Sequence, residues 1–274
     1  MTASDQTTLD SHFDFGENWA DFANSLGPVQ IDAATAVLTR ILPAELLRGR
    51  RVLDIGCGSG ISAVAALRLG ASHVTAIDLD PISVATAKAV LGRFSPGGDW
   101  SVAIASVFDL DESWSRFDVV HSWGVLHHTG DLARALRHAA DRVVVGGSLA
   151  IALYRRTPSD RFWIAEKRLY AYGPHWLRGL VRAGFISIYM FGLLASGRNP
   201  IRYLRAYSRE RGMSWRHDVH DWLGGYPYEA VDKAEVEANL AALGFVLDLA
   251  IDRPVRLGGL LGAPCNEYRF RRVS

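Results

Sequence analysis

Cysteine is nearly missing from this chain of 274 residues: there are two, Cys57 and Cys265, far apart and without a C-x-x-C pair. That excludes a disulfide framework and a thiolate zinc site, and it fits a reducing, cytoplasmic setting. Net charge is missing as well. With 30 basic against 29 acidic residues the formal balance is +1, so the chain as a whole has no polyanion-binding character. No apolar run reaches the ~20 residues that a bilayer crossing needs. The most apolar stretch, GFISIYMFGLLAS at 184–196, is expected to be a buried or interfacial helix at most. The opening residues MTASDQTTLDSHFDF have neither a basic start nor an apolar core, so no export signal is expected. What the chain does have is 49% hydrophobic residues, enough to bury a full core and to exclude a disordered or fibrous class.

The apolar residues fall into alternating strands and helices. RRVLDIGCGSG begins as a strand through Val52, Leu53 and Ile55 and breaks into glycines; ISAVAALRLG then takes helical spacing and ends on a glycine. HVTAIDLDP reads as a second strand ending in an acid, and ISVATAKAVLGRF as a helix started after Pro81. SVAIASV, FDVVHSW and VVVGGSLAIALY read as three more strands, with the helix DLARALRHAADRV between the last two. Such alternation predicts a parallel, doubly wound sheet. The end departs from it. FVLDLAIDR and NEYRFRRV are separated by the glycine-rich PVRLGGLLGAPC, which holds no helix for a parallel crossover, so an antiparallel hairpin is expected at the sheet edge. The predicted fold is therefore α/β, a Rossmann-like doubly wound, mostly parallel sheet with a terminal antiparallel hairpin. We divide it into an N-terminal lid segment 1–30, a core 31–154, a helical cap inserted at 155–228, and a C-terminal helix and hairpin 229–274 that complete the core.

VLDIGCGSG places Asp54 at a strand end and glycines at 56, 58 and 60, where a backbone free of side chains lets a ligand approach the next helix N-terminus. Three readings are open. Gly58 to Ala63 formally satisfies the G-x-G-x-x-A of a nicotinamide site, with Asp78 at the distance expected for a ribose contact. Asp54 argues for S-adenosylmethionine (SAM) instead, because a carboxylate there repels a pyrophosphate and welcomes an amino-acid ammonium, while Asp78 accepts from both ribose hydroxyls. The glycines can also be a structural turn alone.

VLDIGCGSG, AIDLDP and FDVVHSWGVLHHTGD together resemble the motifs of class I SAM-dependent methyltransferases over the first ~155 residues. FGENW (15–19), SWGVLHHTG, RGMS, HDVHDWLGGYPYE and a late CNEY extend the resemblance to bacterial proteins grouped loosely with the 3-demethylubiquinone O-methyltransferases. The resemblance implies SAM bound by Asp54, Gly56, Cys57, Gly58, Gly60, Asp78 and Leu79, with Trp123 lining the adenosine or the substrate pocket. It also supports Trp19 over the cofactor from the aromatic HFDFGENWADF segment, whose other reading is an ordinary amphipathic helix docking on the sheet. Many such enzymes carry an acid after the third strand to hold the adenine amine. This chain has IASVF there, and Ser106 and Val107 are expected to serve with hydroxyl and backbone groups.

Methyl transfer to oxygen or nitrogen needs an in-line nucleophile, exclusion of water and a base, most often histidine. His127 and His128 follow the fourth strand and are the first candidates, although one of two adjacent histidines often only packs or caps. RGMSWRHDVHDWLGGYPYE (211–229) supplies His217 as a further candidate, with Asp218, Trp222, Tyr226, Tyr228 and Glu229 as a substrate wall. His217 and His220 have the spacing to share one face of a helix, but no third strong metal ligand is evident and no metal is expected. Anchoring the cap to the sheet is the competing role for all of these. From Trp176 to Arg216 the cap carries eight arginines and one acid, Glu210. This suggests an anionic substrate or transient contact with an anionic membrane surface through 176–216, the plainer alternative being a solvated helix face. Aromatic residues interleaved with a continuous basic groove are missing, so no nucleic-acid partner is expected. The expected activity is methyl transfer from SAM to a small molecule, at oxygen by resemblance, as a monomer or homodimer. Nitrogen or carbon acceptors, a nicotinamide-dependent oxidoreductase, and a protein that binds SAM without turnover are the alternatives.

Overall fold

The computed structural model describes residues 15–211, 215–255, 257–260 and 262–274. Among these residues seven strands form one sheet: β1 (Arg51–Ile55), β2 (His73–Asp78), β3 (Trp100–Ile104), β4 (Phe117–Trp123), β5 (Val143–Tyr154), β6 (Phe245–Ile251) and β7 (Cys265–Arg272). Their order is β3-β2-β1-β4-β5-β7-β6. The first five strands are parallel, and β7 runs antiparallel to both β5 and β6, so the terminal hairpin lies at the sheet edge as expected.

Alternation along the strands divides the core in two. Val52, Val74, Val119 and Ala150 pack beneath α1 (Phe15–Asn24), α2 (Pro28–Ile41), α4 (Ile61–Arg68) and α5 (Pro81–Phe94). Their sequence neighbours Leu53, Val120, Leu149 and Ile151 pack on the other face under α6 (Leu132–Asp141) and α11 (Lys233–Ala241). The short helix α3 (Ala44–Leu47) links α2 to β1. Helix starts follow local chemistry: the Asp80 carboxylate accepts from Ile82 N–H ahead of Pro81, and Asp131 accepts from Arg134 N–H at the head of α6.

Between β5 and α11 the described residues form four helices, α7 (Asp160–Tyr172), α8 (His175–Ala195), α9 (Pro200–Arg211) and α10 (Trp215–Gly224). They enclose a third, smaller apolar cluster around Trp163, Tyr170, Val219, Leu223 and Tyr228. One expectation is corrected here. The apolar stretch 184–196 is the second half of a 21-residue helix, long and apolar enough by length and composition to cross a membrane, and only Leu193 of α8 is fully buried. Arg178 and Arg182 interrupt the apolar run in sequence without interrupting the helix. Of the RGMS motif, residues 212–214 lie outside the described residues, as do 1–14 of the N-terminal segment.

Candidate active site

The site is built where the parallel strands end. The backbone turns out of β1 through Gly56, Gly58 and Gly60, all with φ between 51° and 76°, a region that side chains other than glycine rarely enter. A Cβ at Gly56 would overlap Val125, and one at Gly58 would lie 3.1 Å from the indole of Trp19. Asp78, at the end of β2, accepts from the N–H of Gly58 at 2.9 Å and from the N–H of Asp80 at 3.0 Å. Burial pushes its carboxyl up to about 6, against the pull of those two N–H groups. Each oxygen keeps a lone pair beyond these bonds. A loop stripped of side chains beside a carboxylate with acceptor capacity for two hydroxyls fits the adenosyl group expected there. Leu79 follows Asp78 at the same rim, and Cys57 is buried within the loop, its thiol pushed upward by burial and then by Asp78 and Asp54.

Asp54 has a partner that no spacing in the sequence reveals. It sits opposite His121 in the β1–β4 register, and its Oδ1 is 2.7 Å from His121 Nδ1. Both side chains are buried, and among the described residues Asp54 Oδ2 and His121 Nε2 have no hydrogen-bond partner. An ammonium expected at Asp54 therefore meets a carboxylate already paired with an imidazole. Trp123, two residues on, stacks on the His121 ring at a centroid distance of 5.9 Å. After β3, the N–H of Ser106 is taken by the Asp109 carboxylate at 2.9 Å, and its hydroxyl accepts from Phe108 N–H at 3.2 Å. Both groups expected to serve adenine thus have local partners, and Val107 is buried beside them. An acid does follow β3, Asp109, three residues beyond Ser106.

His127 and His128 form a tight turn after β4 and have different environments. His127 is fully buried against Tyr154, ring centroids 4.0 Å apart, and burial holds its ring well below the usual histidine range, with His128 and Lys167 acting in the same direction. His128 Nδ1 lies 2.6 Å from the carbonyl oxygen of Pro227. A carbonyl only accepts, so Nδ1 carries the hydrogen and Nε2 is the basic nitrogen of the neutral ring. Phe15 flanks His128 at 5.6 Å, and a Cβ at Gly225 would overlap its ring, which explains the glycine there.

Beyond the histidines stands an aromatic wall. Tyr154, Trp222 and Tyr228 lie with centroids 5.2 Å apart around Tyr154, and Trp163 packs on Trp222 at the same distance. At its centre is Lys167, fully buried, its ammonium 3.8 Å from the Trp222 ring and donating to the Trp222 carbonyl. Burial pulls this lysine well below its ordinary range and pushes the neighbouring Glu166 carboxyl, whose oxygens have no hydrogen-bond partner among the described residues, upward. Neither residue was singled out from sequence, where a lysine in KRLYAY looks like an exposed helix face.

The remaining candidates spread over three places. Tyr228 donates to Asp160 at 3.3 Å, and Glu229 accepts from Leu132 N–H at 2.9 Å, fixing the start of α6. Tyr226 packs on Tyr172 at 5.7 Å, and Asp218 accepts from Tyr207. His217 points to α1, its Nε2 2.9 Å from Asp21 and its ring 5.7 Å from Phe22. His220 instead meets the Tyr170 hydroxyl at 2.8 Å. The two histidines expected to share a helix face therefore take separate partners, and among the described residues no group of three metal-ligating side chains comes together. Asn18 adds to the contacts between α1 and α10, donating to the carbonyl of His217 at 3.1 Å and to Asp221 at 2.7 Å. Helix α1 thus lies with Trp19 over the glycine loop and Asn18 and Asp21 on the cap.

Comparisons with known proteins bear on the family and the fold. Residues 30–221 match a family model described as a methyltransferase domain. The ubiquinone biosynthesis O-methyltransferase of Xanthomonas axonopodis pv. citri (strain 306) is 34% identical over 161 residues, which is 56% of this chain and 63% of that relative's length. The magnesium protoporphyrin IX methyltransferase of Synechocystis PCC 6803 with bound S-adenosylhomocysteine (SAH) superposes with a TM-score of 0.53 at 15% identity, covering 89% of this chain and 83% of the other. The 1,6-didemethyltoxoflavin-N1-methyltransferase of Burkholderia thailandensis superposes with a TM-score of 0.51 at 18% identity, covering 89% and 79%. At such identities the superpositions speak for the fold alone.

Proposed function

We propose a function from this premise: the chain belongs to the methyltransferase-domain family. It transfers the methyl group of SAM to a small-molecule acceptor, and the acceptor atom is an oxygen on an aromatic ring. The observation that carries the reading is the Asp78 carboxylate bound to the glycine loop under Trp19, at the carboxyl edge of the sheet where open α/β folds take ligands. The O-methyltransferase relative supports oxygen. The wall of Tyr154, Trp222 and Tyr228 beside His128 supports a flat ring.

Bound SAM supplies a methyl already activated on a sulfonium. The chain's residues do the rest. Gly56 and Gly58 let the backbone close on the ligand, Asp78 accepts from two hydroxyls, and Trp19 covers the loop against water. His128 Nε2 takes the proton from the acceptor hydroxyl as the oxygen attacks, its Nδ1–H held to Pro227, a contribution worth about 10² to 10⁴ in rate. His127, buried and held neutral, supports the Tyr154 ring and takes no proton. Lys167 orders the wall by gripping Trp222, and His217 acts on the lid through Asp21.

The test is methyl transfer from labelled SAM to a panel of catechols, phenols and quinol precursors, with the corresponding anilines alongside. The reading expects methylated oxygen products and a His128→Gln variant that keeps SAH affinity and loses at least about 100-fold in rate. Methylated anilines alone would move the acceptor to nitrogen.

A further inference from the structure

We infer that the outer face of the cap is a docking surface for an anionic lipid bilayer, with α8 lying in the plane of the headgroups. The inference stands on α8 and α9 and holds whatever the acceptor. The exposed positions of α8 are His175, at its first residue, and Trp176, Leu180, Ala183, Gly184, Ser187, Ile188, Phe191, Gly192, Leu194 and Ala195. From Trp176 onward they recur three or four apart, form one stripe, and include no Asp, Glu, Lys or Arg. Trp176, Leu180, Ile188, Phe191 and Leu194 are each 61–72% exposed, and Ile201 of α9 continues the set at 62%. Surface helices of soluble proteins turn charged residues outward, and exposed apolar patches of this kind mark an interface.

Charge selects the partner. Between Arg168 and Arg205, both included, there are six arginines and no Asp or Glu. Arg198, Arg202 and Arg205 are exposed beside the apolar stripe, whereas Arg178 is turned to the Gly173 and Ala171 carbonyls. A second copy of this chain, meeting the face through a two-fold axis, would set these arginines against themselves. An anionic surface takes them all. Geometry then fixes the depth. At 1.5 Å per residue α8 is about 31 Å long, the thickness of a bilayer core. Yet its inner side packs on the cap, Phe185 against Trp163 at 6.3 Å and Tyr189 against Trp215 at 5.9 Å. Both ends of the cap also return to the same sheet, so the helix lies along the interface rather than across it.

The test is co-sedimentation of the full chain with phosphatidylglycerol–phosphatidylcholine vesicles and with phosphatidylcholine vesicles alone. We expect binding to the anionic vesicles and loss of it in about 1 M salt, where charges are screened beyond about 3 Å. Arg198→Glu, Arg202→Glu and Arg205→Glu together should weaken partitioning more than 100-fold, since each arginine near such a surface contributes roughly fivefold. Ile188→Asp with Phe191→Asp should abolish binding, with an unchanged circular dichroism spectrum showing that the fold is intact. Wild-type protein left in the supernatant with anionic vesicles would overturn the inference. So would a stable dimer in solution that Phe191→Asp dissociates while vesicle binding persists.

Discussion

The sheet core and the cap differ in what they turn outward. In the core, α6 turns Leu132, Ala135, Leu136, Ala139 and Ala140 inward and leaves Arg134, Arg137 and Asp141 on its outer side. In the cap, α8 turns Leu180, Ile188 and Phe191 outward, while Lys167, Asp221 and the Glu166 carboxyl lie inside. Apolar burial stabilises the first arrangement. The second pairs buried ionisable groups with exposed apolar ones, a polarity that suits ligand and surface contact better than stability.

Truncation separates the two most sharply. Leu149→Ala, at a fully buried β5 position, should destabilise by about 2–5 kcal/mol in denaturant unfolding. Phe191→Ser, at a position 72% exposed, should change stability by less than about 0.5 kcal/mol. Equal losses at the two sites would mean that the outer face of α8 is packed against something in the folded chain.

Next in size is Asp78→Ala, which should weaken SAH binding about 100-fold or more in calorimetry, because two hydroxyls lose a charged acceptor. In the wild type, affinity should fall as pH drops through about 6, where Asp78 takes up a proton. Its folded value lies above the usual 3.8, so the folded state binds the proton more tightly. Stability contributed by Asp78 is therefore lost as pH rises through that same window.

Lys167 titrates in the other direction. Its value in the folded state is depressed, so above neutrality the unfolded chain holds the proton that the folded chain has released. Stability should rise with pH from about 7 towards 10, and Lys167→Met should flatten that rise without unfolding the protein. The smallest effect is expected from Asp21→Asn. Asp21 is 66% exposed, so loss of its pair with His217 should speed SAH release only a few-fold in stopped-flow displacement.

The sheet was legible because each signal is local: apolar alternation gives strands, Pro81 starts a helix, and the glycine-rich 254–265 stretch leaves no room for a crossover. The glycine loop and Asp78 were legible for the same reason, since a carboxylate one strand away with a backbone free of side chains has few other uses. What stayed hidden depends on pairs brought together across the fold. His121 meets Asp54 only through the β1–β4 register, and Lys167 meets Trp222 only when α7 packs on α10. Neither has a spacing to read. The length of α8 was hidden by a different cause: Arg178 and Arg182 break the apolar run, while helix propensity continues through both.

The most direct test of the account is calorimetric titration of the purified protein with SAH and, separately, with NAD. Micromolar binding of SAH, lost in Asp78→Ala, with no heat from NAD, is the predicted result. Binding of NAD alone would contradict methyl transfer and make Gly58 to Ala63 a dinucleotide turn.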